Sequence, residues 1–465
     1  MPDRSLPWRV TAGYGAAEMG IAAVDFFLQV TLLKFATAVL GVSAGAAGAA
    51  IALAVLWDAV TDPVMGSISD HTRSAWGRRR PYIALGGVAT AVAFAWLFTP
   101  PELASATTGI AFLLVAYLTV NTALTVLSVP HAALGGELTS CPATRTRLYG
   151  ARFAFANLGL VAAILVPGVV AAGITPGPGA AAHRTSLSAA AIGLILVATA
   201  LVTVLATRGR DVPSREPALT VGGFVRSFLA VLANRPFRPL LAAFVIGSIG
   251  RALNASTALF YYEHRLRLDE SDVFLKVLLP FTLVIAASII GWSWLAERVG
   301  RKPAATTGFF LLGLLGAVFY PLFPAGSLAG PMAAAVIGGL LVGAAFLLDA
   351  TVADVVDYDE VTSGRHREGL YFGVWRLGSK VARAAGIALS GVLLELVGYV
   401  QGAAQQSDAT SVGLALIFGP GVGAFFMVGA VIYAWVPLDE RTTSKVRRIL
   451  ARRRARRADA TGVTA

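Results

Sequence analysis

The sequence predicts an all-α polytopic membrane protein, with twelve transmembrane helices in two six-helix halves and both termini in the cytoplasm. Three observations predict it: long apolar runs, basic residues gathered on one side of those runs, and an internal repeat. Of the 465 residues, 56% are hydrophobic and only 14% are charged, whereas an ordinary soluble domain is about 25% charged. The mean hydropathy of +0.71 comes from uninterrupted runs and not from a scattered bias. Twelve spans of about 20 residues need about 240 positions, which that composition supplies. Cys141 is the single cysteine, so no intrachain disulfide and no cysteine-based metal site is expected.

Apolar runs bounded by charge, proline or glycine place the helices at 11–39, 44–70, 82–100, 107–138, 148–173, 186–207, 238–263, 271–297, 304–323, 328–357, 369–397 and 411–437. The first run carries Glu18 and Asp25 and leads directly into a second. It lacks the layout of a cleaved signal and is expected to stay in the protein. The net charge of +12 admits two readings, nucleic-acid binding or membrane topology. Twenty-eight of the 38 Lys and Arg residues fall in the N-terminus, the even-numbered connections and the tail, and three (Arg184, Arg265 and Arg267) in the odd connections. That asymmetry is the positive-inside pattern, so nucleic acid drops out as a partner and the bilayer takes its place. Seven basic residues remain inside predicted helices: Lys34, Arg152, Arg251, Lys276, Arg376, Lys380 and Arg383.

The repeat is carried by Gly77-Arg78-Arg79-Arg80-Pro81, which recurs as Gly300-Arg301-Lys302-Pro303, and by Leu148-Tyr149, which recurs as Leu370-Tyr371. The organisation expected is a first half at 1–207, a cytoplasmic linker with a short interfacial helix at 208–237, a second half at 238–438 and a basic cytoplasmic tail at 439–465. A duplicated six-helix unit is the plan of the major-facilitator transporters, whose solute cavity lies between the halves.

Ionisable groups inside a bilayer cost roughly 2.5–3.5 kcal/mol each on insertion scales, so each needs a partner or a wet site. Asp58 and Asp62, in Trp57-Asp58-Ala59-Val60-Thr61-Asp62-Pro63, are four apart on one helix face. Two adjacent carboxylates in low dielectric share a proton, hold a cation or pair with arginines of the same half. Pro63 suggests a break that frees backbone carbonyls. Glu18, Asp25 and Gln29 form a polar stripe on the first helix, and Arg376, Lys380 and Arg383 a basic stripe on the eleventh. The basic stripe faces either the acids of the other half or local partners, with Asp349 or Glu395 the candidates for Arg383. Arg152, Asn157, Arg251 and Asn254 are cavity candidates or structural groups, and His131, after Pro130, is a proton relay or a satisfied buried histidine. Asp354, Asp357, Asp359 and Glu360, near Arg365 and Arg367, read as a charge latch at the cytoplasmic mouth, with Arg78, Arg79, Arg80, Arg301 and Lys302 as further gate or anchor groups.

Trp57–Pro81 resembles the signature of the glycoside-pentoside-hexuronide:cation symporters, the melibiose-permease-like branch of the major facilitator superfamily. Asn234-Arg235-Pro236-Phe237, Val352–Tyr358 and the Lys380 region extend the resemblance over most of the chain. It implies that Asp58 and Asp62, with Thr61 and Thr125, bind the coupling Na⁺ or H⁺, with Li⁺ as a further candidate. It also implies functional roles for Arg152 and Lys380. Where sugar permeases of this kind carry acids and an aromatic platform, this chain has Ala22, Ser128 and Ala132, and Asp25 stands one turn from the first.

The function expected is a cation-coupled symporter of a glycoside, pentoside or hexuronide in the inner cell membrane, working as a monomer by alternating access. Asp25, Ser128, Arg152, Arg376 and Lys380 are the expected solute contacts. The alternative on the same fold is a carrier of a lysophospholipid-like amphiphile. No cofactor is expected, and no nucleophile–base or metal constellation suggests an enzyme. The 27 residues after Leu438 leave no room for the output module of a sensor.

Overall fold

A computed structural model describes residues 6–139, 141–175, 177, 179–210, 231–364, 367–403 and 405–461. Twelve helices in it are long and apolar enough to cross a membrane, and no strand occurs among the described residues. They are α1 (Trp8–Ala38), α2 (Ala44–His71), α3 (Arg80–Leu97), α4 (Ala106–Glu137), α5 (Thr144–Gly173), α6 (Ala180–Ala206), α7 (Phe237–Arg265), α8 (Glu270–Val299), α9 (Arg301–Leu322), α10 (Ala329–Ser363), α11 (Glu368–Leu396) and α12 (Asp408–Ala434). A thirteenth helix, α13 (Glu440–Thr461), follows. Most of the linker, with the interfacial helix expected there, lies outside the described residues.

Local chemistry sets the helix ends. Ser43 accepts the Ala46 N–H to cap α2, and Ser105 and Thr108 form a reciprocal capping box on α4. Gly300 (φ 93°) and Gly364 (φ 70°) close α8 and α10 in backbone conformations that a side chain would strain. Two expectations change. α10 runs on past residue 357 because Asp354 and Asp359 are neutralised there by arginines, so the acidic stretch does not terminate the helix. α2 passes unbroken through Pro63, which corrects the break expected there: the helix tolerates the missing N–H.

The packing of the first six helices recurs in the second six. α1 packs on α5 and α6, α2 on α4, and α3 on α6; correspondingly α7 packs on α11 and α12, α8 on α10, and α9 on α12. The two sets of six meet where α2 packs on α11, α1 on α7 and α5 on α8. The polar contacts between them at the helix ends are Lys34 with Glu263, Arg184 with Glu270 at 3.6 Å, and the Gly45 N–H donating to Glu395 at 2.8 Å. All three lie at the end away from the arginine-rich loops.

Small residues allow that closure. A Cβ at Gly391 would run into the Ala44 carbonyl, so α2 and α11 touch backbone to backbone. Gly391→Ala should therefore destabilise the protein by about 1–3 kcal/mol, read as a lower melting temperature of the purified chain. Gly66→Ala, whose added methyl would meet only a Val129 methyl at 3.8 Å, should change it little.

Candidate functional site

Midway along α2 the two aspartates lie one turn apart, and Lys380 of α11 reaches across to both. Its Nζ forms a short ion pair with Asp62 and stands 3.5 Å from Asp58 Oδ2. Thr125 of α4 donates to Asp62 Oδ1 at 3.1 Å. Asp58 is buried, and its Oδ1 has no hydrogen-bond partner. Thr61 turns its hydroxyl back to the Trp57 carbonyl at 3.4 Å, and the Trp57 indole N–H donates to Thr122 at 3.1 Å. Counting Asp58 and Asp62 as carboxylates and Lys380 as an ammonium leaves this group at net −1, with one carboxylate oxygen unused. Carboxylate and hydroxyl oxygens are hard donors, so the set present fits a single small monovalent cation or a proton.

One turn away Arg383 meets Asp25 of α1 at 3.3 Å, again across the two sets of helices. Of the two alternatives the sequence left open, the acids of the other half or Asp349 and Glu395 of its own, this is the first. Asp349 instead accepts the Trp375 indole N–H at 2.8 Å, and Glu395 caps the start of α2. The spacing held the signal: Lys380 and Arg383 are three apart and so point the same way, toward whichever helix carries acids at that depth. Arg376 shares their face, one turn nearer the arginine-rich end, and is exposed. Ser128 is half-buried on α4.

Arg152 is paired within its own half. Its guanidinium forks onto Glu18 of α1, with Nε to Oε2 at 2.6 Å and a terminal nitrogen to Oε1 at 3.1 Å. His131 is fully enclosed beside them. Sequence reasoning placed Glu18 on a polar stripe without seeing this pairing, because α1 and α5 are brought together only by the bundle.

At the arginine-rich end, Arg78 and Arg79 both reach Glu137, at 2.6 and 2.9 Å, and Arg79 also meets Asp70. Asp354 receives Arg301 at 2.7 Å and Arg447 of α13 at 2.8 Å. Arg367 grips Asp359 through two bonds of 2.9 and 2.8 Å, and those hydrogen bonds hold its guanidinium above its ordinary value. These pairs stay within one set of six helices, apart from that of Arg447, which comes from α13. Asp357 lies between them on α10, and Arg365 lies outside the described residues. The part played by α13 was missed: its basic residues read as a generic tail until Arg447 is seen against Asp354.

The model of a family described as MFS/sugar transport protein matches residues 13–440. The chain is 26% identical over 401 residues to the Putative glycoside/cation symporter YagG of Escherichia coli (strain K12), covering 83% of this chain and 82% of that protein. It is 25% identical over 457 residues to the Sodium-dependent lysophosphatidylcholine symporter 1-A of Danio rerio, covering 90% and 82%. Among solved structures, the inward-facing, unoccupied bacterial homolog of the human lysosomal transporter Spinster superposes with a TM-score of 0.72 at 15% identity, covering 95% of this chain and 99% of that one.

If Lys380 and Asp62 form the pair described, Asp62→Asn and Lys380→Gln should each lower the melting temperature, and the double variant should lose less than their sum. Coupling of about 1–3 kcal/mol is expected from a thermal or chemical unfolding cycle; strict additivity would contradict the pairing.

Proposed function

The chain belongs to the MFS/sugar transport protein family, and from that premise we propose that it is a cation-coupled symporter of a small glycoside, pentoside or hexuronide. It is a multi-pass membrane transporter and not an enzyme. Placed in the inner cell membrane with the arginine-rich loops in the cytoplasm, it works as a monomer. The observation that carries the coupling is the net −1 group of Asp58, Asp62 and Lys380, with the unpartnered Asp58 oxygen inside it. One Na⁺ or H⁺, or Li⁺ in their place, neutralises that group; a divalent ion would overcharge it.

Coupling follows from the bridge between the two halves. While Lys380 is held on Asp62, α11 is tied to α2 at mid-depth, and Asp25 with Arg383 ties it to α1. A cation seated on Asp58 and Asp62, beside Thr61 and Thr125, weakens the hold on Lys380 and releases it toward the solute. The solute then contacts Lys380 and Arg376 from one side and Asp25, Ser128 and Arg152 from the other. Because each ligand favours the arrangement that the other needs, their affinities rise together. The contacts at the end away from the arginine-rich loops support the reading of a carrier open to the cytoplasm. Arg78 and Arg79 with Glu137, and Asp354, Asp357 and Asp359 with Arg301, Arg365 and Arg367, serve as the gate that closes when the halves rock.

A second reading has its own observation. Ala22, Ser128 and Ala132 put small groups where sugar permeases of this kind carry acids and an aromatic platform, and an open apolar groove of about 480 Å³ between α2 and α4 is lined by Trp57, Leu118, Thr122 and Val126. Those features suit the acyl chain of a lysophospholipid-like amphiphile on the same fold.

Two measurements test these readings. Proteoliposomes of the Asp58→Cys variant should lose cation-driven solute accumulation by at least tenfold while inserting and melting normally; accumulation equal to wild type would refute the coupling role. Melting of the wild-type chain against sugars, hexuronates and lysolipids, each with Na⁺, Li⁺ or low pH, should reveal stabilisation that needs both ligands. A lysolipid as the stabilising partner would select the second reading.

A further inference from the structure

The buried group at His131 takes no part in the coupling scheme. Its imidazole stacks on the Tyr14 ring, with centroids 4.9 Å apart and planes at 22°. Nε2 lies 2.8 Å from the Tyr14 backbone carbonyl oxygen. A carbonyl only accepts, so Nε2 carries a proton. Nδ1 is also buried, no hydrogen bond reaches it, and the charged atom nearest it is Glu18 Oε2 at 3.4 Å. That oxygen already accepts from Arg152 Nε at 2.6 Å. A histidine protonated only at Nε2 would set the Nδ1 lone pair against a carboxylate oxygen, with nothing between them. A second ring proton removes the conflict and turns the contact into an N–H···O bond.

We infer that His131 and Glu18 form a second proton-binding site, distinct from the acid pair on α2, and that its proton sets how Glu18 divides its charge between His131 and Arg152. The proton resides on Nδ1, because Arg152 occupies both oxygens of Glu18 as it would those of a carboxylate. With the proton bound, the three side chains sum to +1; without it they sum to zero. Loading the site thus gives the wall that holds Arg152 a positive charge, ready for an anionic group on the solute. Unloading it leaves Arg152 neutralised by Glu18. Glu18 and Arg152 keep 16% and 22% of their side-chain surface accessible, whereas His131 has none.

The groups facing His131 come from each helix packed around it. α1 supplies Tyr14 and Glu18, and α5 supplies Arg152, with Tyr149 beside it. α2 and α3, which pack on α4, carry Asp58 and Asp62, met by Lys380, Asp70, held by Arg79, His71, bonded to the Ser67 carbonyl, Arg80, held by the Thr207 carbonyl, and Tyr82, bonded to Thr72. The His183 and Arg184 of α6 lie at its far end. On α4 itself, Glu137 is held by Arg78 and Arg79. Glu18 is therefore the acid that addresses His131.

The test is ¹⁵N spectroscopy of the full chain in nanodiscs, labelled at histidine, at pH 6. The His131 signal is identified by its loss in His131→Gln or, if that variant fails to fold, by its coupling to ¹³C-labelled Tyr14 carbonyl. Wild type should show protons on both ring nitrogens, and Glu18→Gln should show one, on Nε2, at the same pH. A single protonated nitrogen in wild type, or two in Glu18→Gln, would overturn the inference. Cation coupling is read separately: Na⁺, Li⁺ or H⁺ acting at Asp58 and Asp62 leaves this spectrum unaddressed, so either proposal can fail without the other.

Discussion

Two carboxylates one helical turn apart at the middle of a membrane span cannot be left alone, and the rest of this structure is arranged around that constraint. The compensating charge comes from Lys380, on a helix of the opposite half. A partner from the same half would have made the pair a fixed structural element. Drawn from across the bundle, it makes neutralisation of the acids depend on how the halves sit together, and reciprocally makes their relative position depend on what else neutralises the acids. Removing one member of a buried pair leaves an uncompensated charge, which is far costlier than the pair is stabilising. On the proposed coupling, a replacement cation lets Lys380 leave without that penalty.

The remaining features flank this bridge at both ends of the bundle. Backbone contact at Gly391 and the pairs of Lys34, Arg184 and Glu395 close the bundle at one end. At the other, the ion pairs among the described residues join groups of the same half or, through Arg447, the second half and α13. The recurrence is chemical as well as topological. In each set of six, a carboxylate near the end of its fourth helix receives two arginines: Glu137 takes Arg78 and Arg79, and Asp354 takes Arg301 and Arg447. In the second set the partner beyond the loop arginine comes from α13, which makes the tail part of the bundle's charge network.

Much of the fold was legible because bilayer physics writes itself into sequence. Every span must satisfy its own backbone, so helices appear as apolar runs of the right length, and arginine placement sets their direction. The acid pair was legible for the same reason: Asp58 and Asp62 stand out against an apolar helix at a spacing with one geometric meaning. Partners were harder to read. That Asp25 meets Arg383, or that Arg152 is taken by Glu18, depends on which helices adjoin and at what depth, and α1 touches both α5 and α7. Spacing along one helix fixes a face and leaves the neighbour open. Pro63 misled because a proline can stay inside a long membrane helix: it sits exposed on α2, which continues through it to His71.

The account turns on exchange of Lys380 for a cation at the acid pair, and equilibrium binding of Na⁺, Li⁺ and H⁺ to the purified chain in the absence of solute tests it most directly. One of the three should saturate at one ion per chain in the wild type and show no binding in the Asp58→Asn/Asp62→Asn double variant. Identical responses of wild type and double variant to all three ions would contradict it.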